Sequence, residues 1–281
     1  MIEFWHNLPL LIDPIAFHIG SFGVRWYSLS YLVGFITIYS FLHWRVLHDT
    51  QIQKRLGVYV KKGLLEDMFI FLFFGLVVGA RLGYLFFYDL SEFIAHPLNS
   101  LLPFQSGAYT GFYGLSYHGG LIGIALAGFL LGKKYDLSFS QLANFAIPAI
   151  PIGYMWGRIG NFLSGELFGR PTDSNIGMNF RDGDGLSRHP SQLYEAFGEG
   201  LLLFLIFWPL RNSKKLQGKF LGLYLIGYGI VRFIIEFFRQ PDRHIGTALF
   251  GLTVGQLLCF CMTITGIALL IYSKKNEDPS V

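Results

Sequence analysis

The sequence predicts an all-α polytopic membrane protein of about seven transmembrane helices, with the N-terminus outside and the C-terminus in the cytoplasm. A small outward head and short interfacial arms complete the expected fold. Three observations lead there. Hydrophobic residues make up 52% of the chain and charged residues only 14%, against roughly 25% charged in a soluble globular protein. The apolar residues gather into runs of about 20, the length that crosses a bilayer as a helix. The lysines gather in alternate connections, as expected of loops retained in the cytoplasm. All 281 residues read as one integral membrane domain, with 157–193 as a head segment inside it.

The N-terminal residues 1–24 are mixed, with Pro9, Asp13, Pro14 and Gly20, and do not span; they are expected to lie along the interface as an arm. Met1–Trp5 carries no basic segment ahead of an apolar core, so the first hydrophobic helix is expected to act as the insertion signal and to remain. That first span runs from Trp26 to Trp44 and leads into a basic connection with Arg45, Lys54, Arg55, Lys61 and Lys62. The second, Met68 to Phe87, places Gly75, Gly79 and Gly83 on one face, where a neighbouring backbone can come close. Arg81 interrupts it. The connection 89–117 holds no Lys or Arg and is rich in aromatics, which suits a membrane surface.

The third span opens at His118-Gly119-Gly120 and closes at Gly132, before Lys133 and Lys134. The fourth, Phe139 to Trp156, contains Pro148 and Pro151, which predict a kink or break near its end. The stretch GRIGNFLSGELFGR over 157–170 then reads as a tight turn, with Gly160, Gly165 and Gly169 permitting it. A polar segment follows to residue 193. The fifth span covers Tyr194 to Leu210, the sixth Phe220 to Phe238 and the seventh Leu252 to Tyr272. Cys259 and Cys261 lie in the seventh, pointing in different directions, and read as small apolar packing residues.

The distribution of cations says more than the net charge of +4. Thirteen of the 22 Lys and Arg fall in the 45–62, 133–134 and 211–219 connections and the C-terminus, which places these in the cytoplasm. This pattern reflects topology, so no nucleic-acid partner is implied. All ten lysines are on that side, while the other nine cations are Arg25, Arg81, Arg158, Arg170, Arg181, Arg188, Arg232, Arg239 and Arg243. A guanidinium is a planar fork that binds phosphate or carboxylate in two places and tolerates partial burial. Such a set is what a phosphate-binding cavity needs. It is equally what separate pairs with Glu166, Glu195, Glu236, Asp182 and Asp242 would need, and each arginine can follow either pattern.

Ionisable groups inside spans point to function by default. Tyr228, Arg232, Glu236 and Arg239 fall at i, i+4, i+8 and i+11 of the sixth span and share one face; simple neutralisation of Arg232 by Glu236 is the alternative. Arg158, Asn161 and Glu166 make the 157–170 stretch an anion pocket, with Glu166 able to orient an arginine. His118 could be a general base or a helix-end side chain bonded to a carbonyl, and Gly119 and Gly120 leave room for a chain or a substrate. His189 fits a structural turn. No HExxH or Cys/His spacing implies a metal, and no GxSxG supplies a nucleophile.

Taken together, these blocks resemble the bacterial prolipoprotein diacylglyceryl transferase family over nearly the whole chain. GRIGNFLSGELFG is similar to the family signature, with Ser164 in place of a frequent Asn; HGG at 118–120, RHPSQLYEA at 188–196 and YGIVRFIIEFFRQPD at 228–242 resemble three further blocks. DPIAFHIGSFGVRWYSLSYLVGF at 13–35 is similar to the family's arm and first helix. The resemblance implies a seven-helix protein of the bacterial inner membrane with its site toward the periplasm. It implies transfer of the diacylglyceryl group of phosphatidylglycerol to the lipobox cysteine of a preprolipoprotein signal peptide, releasing glycerol phosphate, without a cofactor. By position it implies Arg158, Arg232 and His118 as catalytic residues. Tyr27, Asn161, Glu166, Gly169, Tyr228, Glu236 and Arg239 are then expected to bind substrate. A phospholipid transporter or scramblase with an arginine-lined path, or an intramembrane hydrolase, would use the same features differently.

Overall fold

The computed structural model describes residues 2–102, 104–105, 108–109, 114–240 and 251–275. Arg243, Asp242 and the acidic tail lie outside the described residues. Helix dominates: α1 (Ile2–Leu11), α2 (Trp26–His48), α3 (Thr50–Lys61), α4 (Leu64–Tyr88), α5 (Leu90–Ala95), α6 (Pro97–Leu101), α7 (Tyr117–Tyr135), α8 (Phe139–Ala146), α9 (Ile150–Leu163), α10 (Ser191–Glu195), α11 (Leu203–Leu210), α12 (Phe220–Ile235) and α13 (Val254–Lys275). Three two-stranded antiparallel ribbons complete it, β1 (Ile15–Ile19) with β2 (Phe22–Arg25), β3 (Phe104–Gln105) with β4 (Ala108–Tyr109), and β5 (Met178–Asn179) with β6 (Ser187–Arg188). Helix lies over each of the seven stretches read as spans. Among the described residues three segments, Leu64–Tyr88, Ser191–Leu210 and Val254–Tyr272, are long and apolar enough to cross a bilayer.

The chain divides into two compact units, Val46–Leu142 and the remainder, Met1–Arg45 with Ala143–Val281. In the first of these α4 starts from Gly63 in the left-handed conformation, with Glu66 and Asp67 in its first turn, where the positive end of the helix dipole favours them. The glycine face of α4 finds its neighbour in α7. A Cβ on Gly123 would sit 1.9 Å from the Gly75 carbonyl oxygen, and one on Gly119 would sit 2.3 Å from that of Gly79. The space expected beside His118 is therefore filled by the chain itself. Ser116 caps α7 by accepting from the Gly119 N–H at 3.3 Å, the usual service of an N-cap hydroxyl. Lys134 closes the far end on Asp67, whose carboxylate also accepts from the Tyr135 hydroxyl at 2.5 Å. Arg81, in the same unit, donates to the carbonyls of Ser100 and Gly114, at 2.8 Å from Nε and 3.1 Å from Nη1. It fastens loops. Substituting Gly123 by valine is expected to force α4 and α7 apart, because the obstructing atoms are backbone; thermal unfolding in detergent should register a loss of at least about 2 kcal/mol.

The other unit carries the site. Its prolines act as expected: Ile147–Ala149 is a 3₁₀ turn between α8 and α9. Beyond it the expectation needs correction. The fourth helical stretch does not stop at Trp156 but continues as α9 to Leu163, so Gly157–Leu163 is helix and not turn. Gly160 is a packing glycine, since a Cβ there would meet Ser30 at 2.8 Å. The turn begins at Ser164, with Gly165 at φ +72°. Helix α2 crosses α9 where Gly34 approaches the Gly153 carbonyl. Arg45 is buried and donates to the Phe145 carbonyl at 2.5 Å, which answers the open C-terminal end of α8. Ile147, Leu203, Phe207 and Phe220 form the apolar centre beneath the site.

The segment after the turn folds against the N-terminal arm. Phe162, Met178 and Phe180 make a small core there. Helix α1 lies on it through His6 Nδ1 donating to the Gly177 carbonyl at 2.7 Å and Asn179 donating to Asn7 at 2.8 Å. Arg181 bonds the carbonyls of Leu10 and Ile12. Arg188 is buried, paired with Asp184 at 2.7 Å and bonded to the Gly169 carbonyl at 3.1 Å. These two arginines follow the structural pattern. So does His189, whose carbonyl accepts from Gly169 N–H at 2.8 Å and whose ring Nδ1 lies 3.1 Å from the Tyr194 hydroxyl. Burial lowers the pKa of His189. Protonation as pH falls below about 6.5 therefore works against this corner, which is firmest with the ring neutral.

Candidate active site

Three helical elements of one unit converge on a buried cluster of arginines and glutamates. Arg158 comes from α9, one turn before its end. Glu195 closes α10, and the chain then widens into a π-helical turn, Ala196–Leu202, before resuming as α11. Such widened turns frequently mark functional positions. Glu195 and Glu199 point inward from it, and neither carboxylate has measurable exposure. Arg232 comes from the last turn of α12. The sixth helix ends at Ile235, three residues earlier than expected; Glu236 caps it and Arg239 lies in a β-bridge with Gly169. The stripe expected along one helix face is thus completed by a turn and a bridge.

Glu195 is the hub. Its Oε2 is 2.7 Å from Arg158 Nε, and its Oε1 is 2.9 Å from Arg232 Nη1 and 3.8 Å from Arg239 Nη1. Arg232 also reaches Glu199 at 3.5 Å and Glu236 at 3.0 Å. Glu236 accepts a further bond from the Thr253 hydroxyl at 3.1 Å, and Gly255 presses against its carboxylate. The Arg158 guanidinium donates from Nε to the Tyr154 hydroxyl at 2.7 Å and from Nη1 to Asn161 Oδ1 at 3.3 Å, and stacks over the Tyr154 ring at 4.9 Å. Three guanidiniums thus face three carboxylates. Burying charges is tolerable only when they are paired and bonded. Here each arginine fork is turned by carboxylates that are themselves fixed in the core.

The two arginines expected to form a clamp, Arg158 and Arg232, are brought together, and a residue of a third element joins them. Asn161, Glu236 and Arg239 join the same cluster. Tyr228 packs its ring edge-on to Tyr154 at 5.9 Å. Tyr27 lies on the α2 side of α9, where its hydroxyl donates to that of Tyr31 at 3.1 Å and Arg158 and Glu166 are within electrostatic reach. Gly169 is where a side chain is forbidden: a Cβ would meet the Phe238 carbonyl oxygen at 2.4 Å and the His189 carbonyl oxygen at 2.8 Å. Its place is to let three strands of backbone meet. Arg170 extends that contact by donating from Nε to the Arg239 carbonyl at 3.0 Å.

Among the described residues Glu166 is exposed and its carboxylate has no cationic partner. Its backbone carbonyl is instead held at 2.5 Å by the side-chain amide of the fully buried Gln192. The orienting carboxylates are Glu195 and Glu199. Glu195 was visible as a possible partner. Glu199 was not singled out, although a glutamate in an apolar run, four residues after another, is the signal that intramembrane charge provides. His118 belongs to the other unit, exposed at the start of α7, and its role rests on sequence.

What the arrangement can do is hold planar cationic forks rigidly in a water-poor place. Among the described residues Nη2 of Arg158 has no protein acceptor, so one arm of that fork is available to an incoming anion. Preorganised donors of this kind stabilise charge that develops during a reaction.

The chain is similar to known proteins of one family. The family model described as prolipoprotein diacylglyceryl transferase matches residues 14–272. A protein of Chlorobaculum tepidum named phosphatidylglycerol–prolipoprotein diacylglyceryl transferase is 40% identical over 99% of this chain and 96% of its own length. A protein of the same name from Campylobacter curvus is 40% identical over 97% of this chain and 98% of its own. Another from Legionella pneumophila is 41% identical over 91% and 95%.

Proposed function

The chain belongs to the prolipoprotein diacylglyceryl transferase family, and from that membership we infer that it transfers the diacylglyceryl group of phosphatidylglycerol to a prolipoprotein. It is a transferase. The acceptor is the thiol of the lipobox cysteine in a preprolipoprotein signal peptide, and the leaving group is glycerol phosphate. The observation that carries the reading is the convergence of Arg158 and Arg232 on Glu195, at 2.7 and 2.9 Å.

Thiolate attacks the glycerol carbon that bears the phosphate ester; the S–C bond forms as the C–O bond breaks, and glycerol phosphate departs with the bonding pair. Negative charge on the phosphate grows in the transition state. Arg158 and Arg232 stabilise it, an effect often worth about 3–4 kcal/mol per lost donor. Arg239, Asn161, Glu236, Tyr228, Tyr27, Glu166 and Gly169 shape and support the substrate site. An unperturbed thiol has a pKa of about 8.5, so a base or a positive field must raise its thiolate fraction. His118 is that base. Substituting His118 by glutamine is expected to lower kcat/KM about a hundredfold; unchanged activity would make the histidine structural.

The protein crosses the bacterial inner membrane seven times, N-terminus out and C-terminus in, with residues 157–193 as the periplasmic head and the reaction toward that side. The cation distribution and the three long apolar helices support this. Purified protein, phosphatidylglycerol and a lipobox peptide form the test. The expected products are a thioether-linked diacylglyceryl peptide and glycerol phosphate. Lipid that only changes leaflet would indicate a transporter, and lipid cleaved without peptide a hydrolase; either outcome overturns the reading.

A further inference from the structure

The tripeptide Gly198-Glu199-Gly200 occupies the π-helical turn, and its three residues touch different parts of the cluster. A Cβ on Gly200 would lie 2.6 Å from Met155 Cβ and 2.8 Å from Met155 Cα. The turn therefore rests on the backbone of α9 next to Tyr154. A Cβ on Gly198 would lie 2.8 Å from Val231 Cγ1, next to Arg232 on α12. Between these two contacts the Glu199 carboxylate has no measurable exposure. It accepts from the Tyr154 hydroxyl at 2.5 Å through Oε2, and its Oε1 is 3.5 Å from Arg232 Nη1. The same Tyr154 hydroxyl accepts from Arg158 Nε at 2.7 Å. A continuous line runs Arg158, Tyr154, Glu199, Arg232. It is separate from the direct bridge through Glu195, and neither Tyr154 nor Glu199 falls within the blocks that carried the resemblance.

We propose that Tyr154 and Glu199 form a positioning bridge that sets the separation and tilt of the Arg158 and Arg232 guanidiniums for the leaving phosphate. The physical need is specific. Asn161 and Glu236 each steady one fork separately, and Glu195 alone links the two directly. A second link between the forks fixes their tilt relative to each other. The phenol is suited to it because its oxygen both accepts from an arginine and donates to a carboxylate. Its ring is held by Tyr228, edge-on at 5.9 Å. Neither residue touches the reacting atoms in this account. Both act through the arginines, and the inference rests on the transfer reaction given above.

Misplacing catalytic groups by about 1 Å can cost about a hundredfold in rate, and the losses should appear in kcat. Tyr154→Phe removes one oxygen and keeps the ring, so it is the primary variant; Glu199→Gln keeps the shape of the carboxylate. Measured as thioether formation from phosphatidylglycerol and a lipobox peptide, each should lower kcat about 10–100-fold with KM within about twofold. The double variant should lose no more than the worse single one, because both remove the same bridge. Gly200→Ala, which wedges the turn away from α9, should show the same kinetic pattern.

Wild-type protein that forms no thioether product refutes the transferase reading itself. With the wild type active, Tyr154→Phe at near-normal kcat, a change confined to KM, or losses that multiply in the double variant each overturn the bridge. Should Glu199→Gln fail to insert, Tyr154→Phe decides alone: a lowered melting temperature with kcat unchanged would assign the pair to stability only.

Discussion

Arg158→Lys is expected to reduce transfer at least about a hundredfold while the protein inserts and melts close to wild type. Lysine keeps a positive charge beside Glu195, which lies 2.7 Å from Arg158 Nε. The buried carboxylate therefore keeps a counter-ion and the fold survives. What lysine cannot keep is the fork. Arg158 turns its Nε toward Tyr154 and Glu195, gives Nη1 to Asn161 and leaves Nη2 without a protein acceptor. A point charge on a flexible stem cannot hold those partners and still present a second donor to phosphate. Arg158→Ala should abolish transfer and also destabilise, since Glu195 loses its nearest counter-charge. The pair of variants separates chemistry from stability. Near-normal turnover by Arg158→Lys would end the phosphate-clamp model and leave the arginine as a structural charge.

Glu195→Gln should damage both folding and activity. The carboxylate is fully buried and serves Arg158, Arg232 and Arg239 at once, at 2.7, 2.9 and 3.8 Å. Glutamine has the same outline, so the loss is electrostatic rather than steric. Removing one partner of a buried ion pair typically costs about 3–5 kcal/mol, because the remaining charge stays in the core without compensation. Here three cations would be left with Glu199 and Glu236. We expect a lower melting temperature in detergent, a smaller yield of inserted protein and transfer below detection. The residual charges would repel one another and displace both arginine forks. A Glu195→Gln protein with wild-type melting and turnover would show that Glu199 and Glu236 suffice.

Helix positions and the large glycine-lined contact of α4 were legible because both depend on local pattern. An apolar run of about 20 residues has one economical backbone in lipid, the helix, which satisfies its own polar groups. Gly75, Gly79 and Gly83 at four-residue spacing declare a flat face whatever partner fills it. Prolines 148 and 151 fixed the break before α9 in the same local way. The end of α9 lies further along for a related reason. Gly160 reads as a turn former, but its lack of side chain is spent on packing against Ser30 of α2, within helix.

Charge pairing was a different matter. The sequence shows that Arg158, Arg232 and Arg239 sit among apolar residues and therefore need partners, and that glutamates exist to supply them. It does not rank the partners. Glu166 is eight residues from Arg158 and exposed, whereas Glu195 is far along the chain, on the next helix, and buried. A π-helical turn widened around Gly198 and Gly200 is what aims Glu195 and Glu199 inward together. By itself the sequence determined the family, the helical membrane class and the arginines that need partners, since these follow from composition, period and local motif. Only the tertiary structure decided which carboxylates hold those arginines, because a side chain's ion partner is set by how helices pack, and packing joins residues that no local pattern links.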